Sequence, residues 1–173
     1  LVAAACTLLI TNASQAAITI NFAEVGANVV ATYSGSVLIP TATVTPVTWP
    51  TTVFITGNTF ITRETVTQIR INTGGVTAPA TSSWATATGT RGSGDTTWGF
   101  GSGSFWMPAG HDPSLPFAPV GSATFFNKSL ADLGIAPAVS ALAHTTSNGQ
   151  QVFYTATRAG FGNLIVNADF SAG

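Results

Sequence analysis

Apolar and polar residues alternate along most of this chain in short runs, and each run is closed by a turn signal. Ala17 to Phe22 (AITINF) alternates strictly, which predicts a strand with one buried face. Glu24 to Asn28 predicts a turn, after which Val29 to Tyr33 (VVATY) returns as the partner of a hairpin. Ser36 to Ile39 predicts a further short strand ended by Pro40, and Thr41 to Val47 alternates threonine with apolar residues up to Trp49-Pro50. Val53 to Ile55 and Thr59 to Ile61 flank Gly57-Asn58, a hairpin signal. Thr65 to Asn72 (TVTQIRIN) predicts another strand, ending at Gly74-Gly75.

Residues 77–83 read as loop and Arg91 to Gly94 as a turn, with no strand predicted between them. Trp98 to Trp106 (WGFGSGSFW) alternates rings with Gly and Ser, which predicts one strand carrying its aromatic residues on one face. Pro108 to Pro119 is an irregular loop. Ala123 to Phe126 leads into Lys128 to Gly134 (KSLADLG), a helix-like turn capped by Gly134. Val152 to Ala156 and Leu164 to Phe170 predict the closing strands. Short strands at regular spacing, without any long 3.6-residue period, predict an all-β fold: an antiparallel β-sandwich, jelly-roll-like. Residues 17–173 form its single domain, and residues 1–16 an extended N-terminal apolar arm or export-signal remnant.

Composition sharpens this picture. Charged residues make up 6% of the 173 residues, against about 25% in an ordinary soluble chain. They are Arg63, Arg70, Arg91, Arg158, Lys128, Glu24, Glu64, Asp95, Asp112, Asp132 and Asp169. Thr, at about one residue in six, takes much of the place of charge. A surface of hydroxyls and small groups, with little repulsion to oppose contact, suits a protein that is exported, glycosylated or packed against its own copies. Scattered cations exclude nucleic acid as a partner. Cys6 is the only cysteine, so no internal disulfide and no cysteine metal cluster form.

Leu1 to Ala17 (LVAAACTLLITNASQAA) has the apolar character of a secretory signal and ends in small residues. It serves as a retained export segment or as a mature arm, and Leu1 to Cys6 loosely resembles a lipoprotein cleavage box. No segment reaches the roughly 18 continuous apolar residues of a membrane span.

Two blocks, Ala17 to Ser36 (AITINFAEVGANVVATYSGS) and Trp98 to Ile135, carry a family resemblance. The first pairs an opening hairpin with a Ser-Gly-Ser step. The second holds Pro108-Ala109-Gly110, Ser122 to Phe125 and Ser129 to Gly134 in order. Together they resemble the bacterial exported proteins that carry a PEP-CTERM sorting tail. That resemblance implies export and retention at the cell surface or in an exopolysaccharide matrix, and implies no catalytic residues. The family's Pro-Glu-Pro tail does not follow Phe170-Ser171-Ala172-Gly173 in this sequence.

Candidate chemistry is sparse. His111 and His144 are the only histidines; His111-Asp112-Pro113 lies in the Pro-rich loop, and no Gly-x-Ser-x-Gly elbow accompanies it. Asp95 is the best single calcium ligand but has no second acid near it in sequence. No enzyme, cofactor or metal site is therefore expected. Trp49, Trp84 and Trp106 are candidates for stacking on glycans, while Trp98, Phe100 and Phe105 are expected in the core. Asn12 and Asn127 fit the Asn-x-Ser glycosylation pattern, and Thr41, Thr43 and Thr45 are candidates for O-linked sugars.

Leu1, Val2, Leu8, Leu9 and Ile10 carry the sharpest expectation. An exposed apolar arm gains by adding as a strand to the sheet of another copy, a head-to-tail contact that does not close and so grows a filament. The chain is accordingly expected to be an extracellular or cell-surface structural protein, the subunit of a fibre polymerised by N-terminal strand exchange. Its partners would be its own copies, with exopolysaccharide or attached glycans besides. The alternative is a monomeric matrix protein that binds carbohydrate.

Overall fold

The computed structural model describes residues 17–39, 43–48, 52–57, 59–63, 67–72, 83–92, 97–101, 103–108, 110–146 and 148–158. The expected Leu164–Phe170 strand and residues 1–16 lie outside them. The strands in chain order are β1 (Ala17–Val25), β2 (Asn28–Gly35), β3 (Thr43–Thr48), β4 (Thr52–Gly57), β5 (Thr59–Arg63) and β6 (Thr67–Asn72). They continue as β7 (Trp84–Arg91), β8 (Trp98–Gly101), β9 (Ser104–Pro108), β10 (Gly121–Phe125), β11 (Ala138–Thr145) and β12 (Gln151–Thr157). No helix occurs among the described residues, and so none long and apolar enough to cross a membrane.

The alternation read in AITINF and VVATY is realised directly. Ile18, Ile20 and Phe22 of β1 and Val29, Ala31 and Tyr33 of β2 are buried, with their neighbours outward. Gly26 turns the hairpin at a φ of 60°, and Gly57 ends β4 at 54° before its hairpin partner β5. These are left-handed conformations that Gly adopts without a Cβ penalty.

All twelve strands join one curled sheet in the order β11-β12-β1-β2-β10-β7-β4-β5-β8-β9-β6-β3. The expected purely antiparallel pairing is corrected to a mixed sheet, because β12 runs parallel to β1, with Ile18 opposite Val152 and Phe22 opposite Ala156. The curl brings strands far apart in that order into contact. Phe22 of β1 meets Phe60 of β5 at 6.2 Å between ring centroids, and Tyr33 of β2 meets Trp98 of β8 at 5.3 Å. Both halves of the sheet thus feed one apolar core.

Three further elements differ from expectation. The aromatic run splits into the β8–β9 hairpin, turned at Gly103 with a φ of 79°. Phe100 faces Phe105 across that hairpin, so Trp98, Phe100 and Phe105 share the core side, while Trp106 sits opposite Gly99 on the other side. Residues 36–39 form an isolated bridge, Val37 with Phe117, in place of a strand. Gln150 and Asn148 secure it: Leu38 N–H donates to Gln150 Oε1 at 3.2 Å, and Asn148 Nδ2 donates to the Leu38 carbonyl at 2.6 Å. Lys128–Gly134 is a set of tight turns, ended by Gly134 at a φ of 64° as the capping expectation required.

Gly35 ends β2 at a φ of 108°, and a Cβ there would overlap the carbonyl oxygen of Ala17, which accepts the Ser36 N–H at 3.1 Å. Gly35→Ala is therefore expected to cost about 1–3 kcal/mol through backbone strain, measured by urea unfolding. An unchanged midpoint would contradict this geometry.

Candidate functional site

Among the described residues the sheet ends in two edges, β11 and β3. β3 includes Pro46, which removes one backbone donor. β11 (AVSALAHT) contains neither proline nor a charged residue, two of the devices that guard an edge. It pairs with β12 on one side, and Val139 is 96% exposed. Beside Val139, a shallow groove of about 560 Å³ runs past Pro137, Ala138, Ala156 and Thr157 to Arg158, its one charged neighbour. A second chain laid along β11 would meet open backbone and small side chains.

Two register shifts interrupt β11, between Ala138 and Ala141 and between Leu142 and His144. Each inserts one extra residue, and the second buries two successive residues, Ala143 and His144. The His144 ring lies 5.0 Å from Phe100 and 6.4 Å from Phe105, and its Nε2 has no hydrogen-bond partner. Burial lowers its pKa from 6.5 to about 4. The unfolded chain therefore binds a proton that the folded chain refuses between those values. Stability is full above pH 6.5 and falls as pH drops toward 4, by about 3 kcal/mol in all. His144→Leu is expected to flatten that part of a urea-midpoint profile, and an unaltered slope would contradict the assignment.

The remaining sites predicted from sequence fare unevenly. Trp84 and Trp106 are 3% and 7% exposed, which withdraws both as glycan platforms. Trp84 packs edge-on against Phe22 and Tyr154, each at 5.6 Å, and Trp106 is buried on β9 at the register position opposite Gly99. Trp98, Phe100 and Phe105 are core residues as expected. Trp49, Thr41, Asn12, Asp95 and the arm residues Leu1, Val2, Leu8, Leu9 and Ile10 lie outside the described residues. Thr43 and Thr45 are placed by backbone register on β3, opposite Asn72 and Arg70. Asn127 is exposed in a turn at a φ of 51°, its N–H donating to Asn28 Oδ1 at 3.0 Å.

His111 and Asp112 do not assemble as a catalytic pair with the nearby serine. His111 Nε2 is 3.3 Å from the Leu115 carbonyl and its ring meets Phe117 edge-on. Ser114 donates both its Oγ–H and its N–H to Asp112, which holds that carboxyl below its ordinary pKa. A serine that gives its proton to a carboxylate in a closed local turn is not presented to a base as a nucleophile.

Charged groups gather in a shallow hollow of about 340 Å³ bordered by Glu24, Lys128 and Asp132. Its acids have structural duties. Glu24 Oε1 accepts the Leu130 N–H at 2.9 Å, and Asp132 Oδ2 accepts the N–H and Oγ–H of Ser129 while its own N–H donates to Ser129 Oγ. That reciprocal arrangement holds the tight turn closed. Among the described residues no group of three or more His, Cys, Asp or Glu could hold a metal ion. Comparison of the chain with protein families, curated proteins and solved structures finds no match.

Proposed function

We propose that the protein is an extracellular structural subunit that polymerises by strand exchange, the apolar N-terminal segment of one copy adding to the β11 edge of the next. The observation that carries this reading is the uncharged, proline-free β11 edge, with Val139 96% exposed beside an apolar groove. Leu1, Val2, Leu8, Leu9 and Ile10 supply a donor of matching chemistry. Burying four such side chains is worth roughly 6–12 kcal/mol before ordering is counted. The low charge of the chain supports association, and the resemblance of its two blocks to exported bacterial proteins supports a place outside the cell.

The finer architecture belongs to the same proposal. Ring contacts between the two halves of the curled sheet favour a sandwich. The hairpin-rich strand order adds nothing to a jelly-roll path. The test is electron microscopy of the full chain beside a chain lacking residues 1–16. Fibres from the first and dispersed particles from the second support strand exchange; equal fibre formation by both overturns it.

A further inference from the structure

In the half of the sheet made by β11, β12, β1, β2, β10 and β7, the four strands β12, β1, β2 and β10 turn alternate positions into the core and the others outward. Only Glu24 and Arg91 are charged within these six strands, and both share the parity of the buried residues. The outward positions are thus uncharged, where an ordinary soluble surface carries about 25–35% charge. Register places Thr155, Asn21, Thr32 and Ser122 in one row across β12, β1, β2 and β10. Phe153 and Thr19 lie opposite each other in the adjoining row.

These six side chains offer a definite chemistry. Hydroxyl and amide groups recur about 4.8 Å apart between strands and roughly 7 Å apart along them. Thr155 Oγ1 donates to Asn21 Oδ1 at 2.8 Å in the open, so part of the row is ordered before any partner arrives. Phe153, half-buried, adds a flat apolar ring beside these polar groups. A neutral sugar presents the complement: one apolar ring face, rimmed by hydroxyls that both donate and accept.

Other occupants fit less well. An anionic polymer needs cations that this face lacks. A second copy packed face to face would take rows of hydroxyls out of water without assured partners. A flat crystalline solid would lose register, since neighbouring strands rotate by about 20–25°. A flexible chain crossing a few strands follows that twist.

We propose that the outward face of β12, β1, β2 and β10 binds a neutral polysaccharide, with Phe153 against a sugar ring and the Thr155–Asn21–Thr32–Ser122 row hydrogen-bonded to its hydroxyls. Thr155 also borders the groove beside Val139, so this face adjoins the β11 edge, while Asn21, Thr32 and Ser122 lie one, two and three strands farther in. The test is retention of the full chain on amylose and cross-linked dextran, with carboxymethyl-dextran as the anionic comparator. At least one neutral matrix retains the wild type, and Thr32→Glu or Asn21→Lys weakens that retention at least tenfold at unchanged thermal stability. Should Thr32→Glu fail to fold, Asn21→Lys alone decides. Retention by no neutral matrix, stronger retention on carboxymethyl-dextran, or face variants that bind as the wild type does would each overturn the proposal.

Discussion

Replacing Trp98 by alanine is expected to remove about 3–5 kcal/mol of folding stability, a large share of the roughly 5–15 kcal/mol of an ordinary domain. Trp98 is fully buried and touches both halves of the curled sheet: Tyr33 at 5.3 Å on one side, Phe60, Phe100 and Phe105 at 5.6, 6.0 and 5.9 Å on the other. Its removal leaves a cavity where the halves meet, and close-packed neighbours relax only partly into it. The indole Nε1 has no hydrogen-bond partner, so the loss comes from packing. Trp98→Phe should then cost under about 2 kcal/mol, because it keeps most of the ring contact and drops an unsatisfied donor. Urea unfolding followed by circular dichroism measures both. Equal costs for Ala and Phe would show that the ring contacts across the sheet do not hold the fold.

Val139→Lys is expected to weaken self-association by about 10–100-fold while leaving the subunit folded. The side chain is 96% exposed, so the monomer loses almost no burial when it changes. In a strand-exchanged polymer the same side chain is covered. The variant then forfeits roughly 1.5–3 kcal/mol of apolar burial and sets an unpaired charge beside the incoming strand. Each 1.4 kcal/mol is a factor of ten in the equilibrium. Sedimentation velocity across a concentration series reads this directly. Unaltered assembly would place the contact elsewhere than β11.

Alternation was legible wherever bulky apolar residues carried it. In β1 and β2 the Ile-Thr-Ile and Val-Ala-Tyr patterns marked strand, face and hairpin together, since each buried position holds a large side chain. β7 escaped notice because its core-facing interior is Ala87 and its outward positions are threonines, which offers no hydrophobic contrast. β11 escaped because its two bulges break the period of two, placing Ala143 and His144 side by side in the core. The β8–β9 hairpin hid behind its aromatic content: Phe105 and Trp106 are consecutive and must face opposite ways, which one continuous strand could not reconcile with rings on a single face.

Sites were less legible than fold. Trp84 and Trp106 looked available because tryptophan is rich in contact chemistry, but their exposure depends on partners distant in sequence, Phe22 and Tyr154 for the one and the pairing of β9 with β6 for the other. The uncharged outward face could not be drawn before register set Asn21 between Thr155 and Thr32. Scarcity of charge was plain from composition; its complete absence from one face required the pairing of six strands.

The central claim is that the N-terminal segment of one copy lies along β11 of another, and cross-linking tests it most directly. Val139→Cys adds one thiol to the native Cys6, the only other cysteine in the chain. A short bis-maleimide applied to the assembled protein joins thiols that are brought together, and denaturing electrophoresis counts the linked subunits. Strand exchange predicts a ladder of dimers, trimers and longer chains, since each subunit gives an arm and accepts one, whereas the parent protein with Cys6 alone stops at dimers. Monomer bands only, from an arm that folds onto its own β11 or never reaches any, would contradict the account.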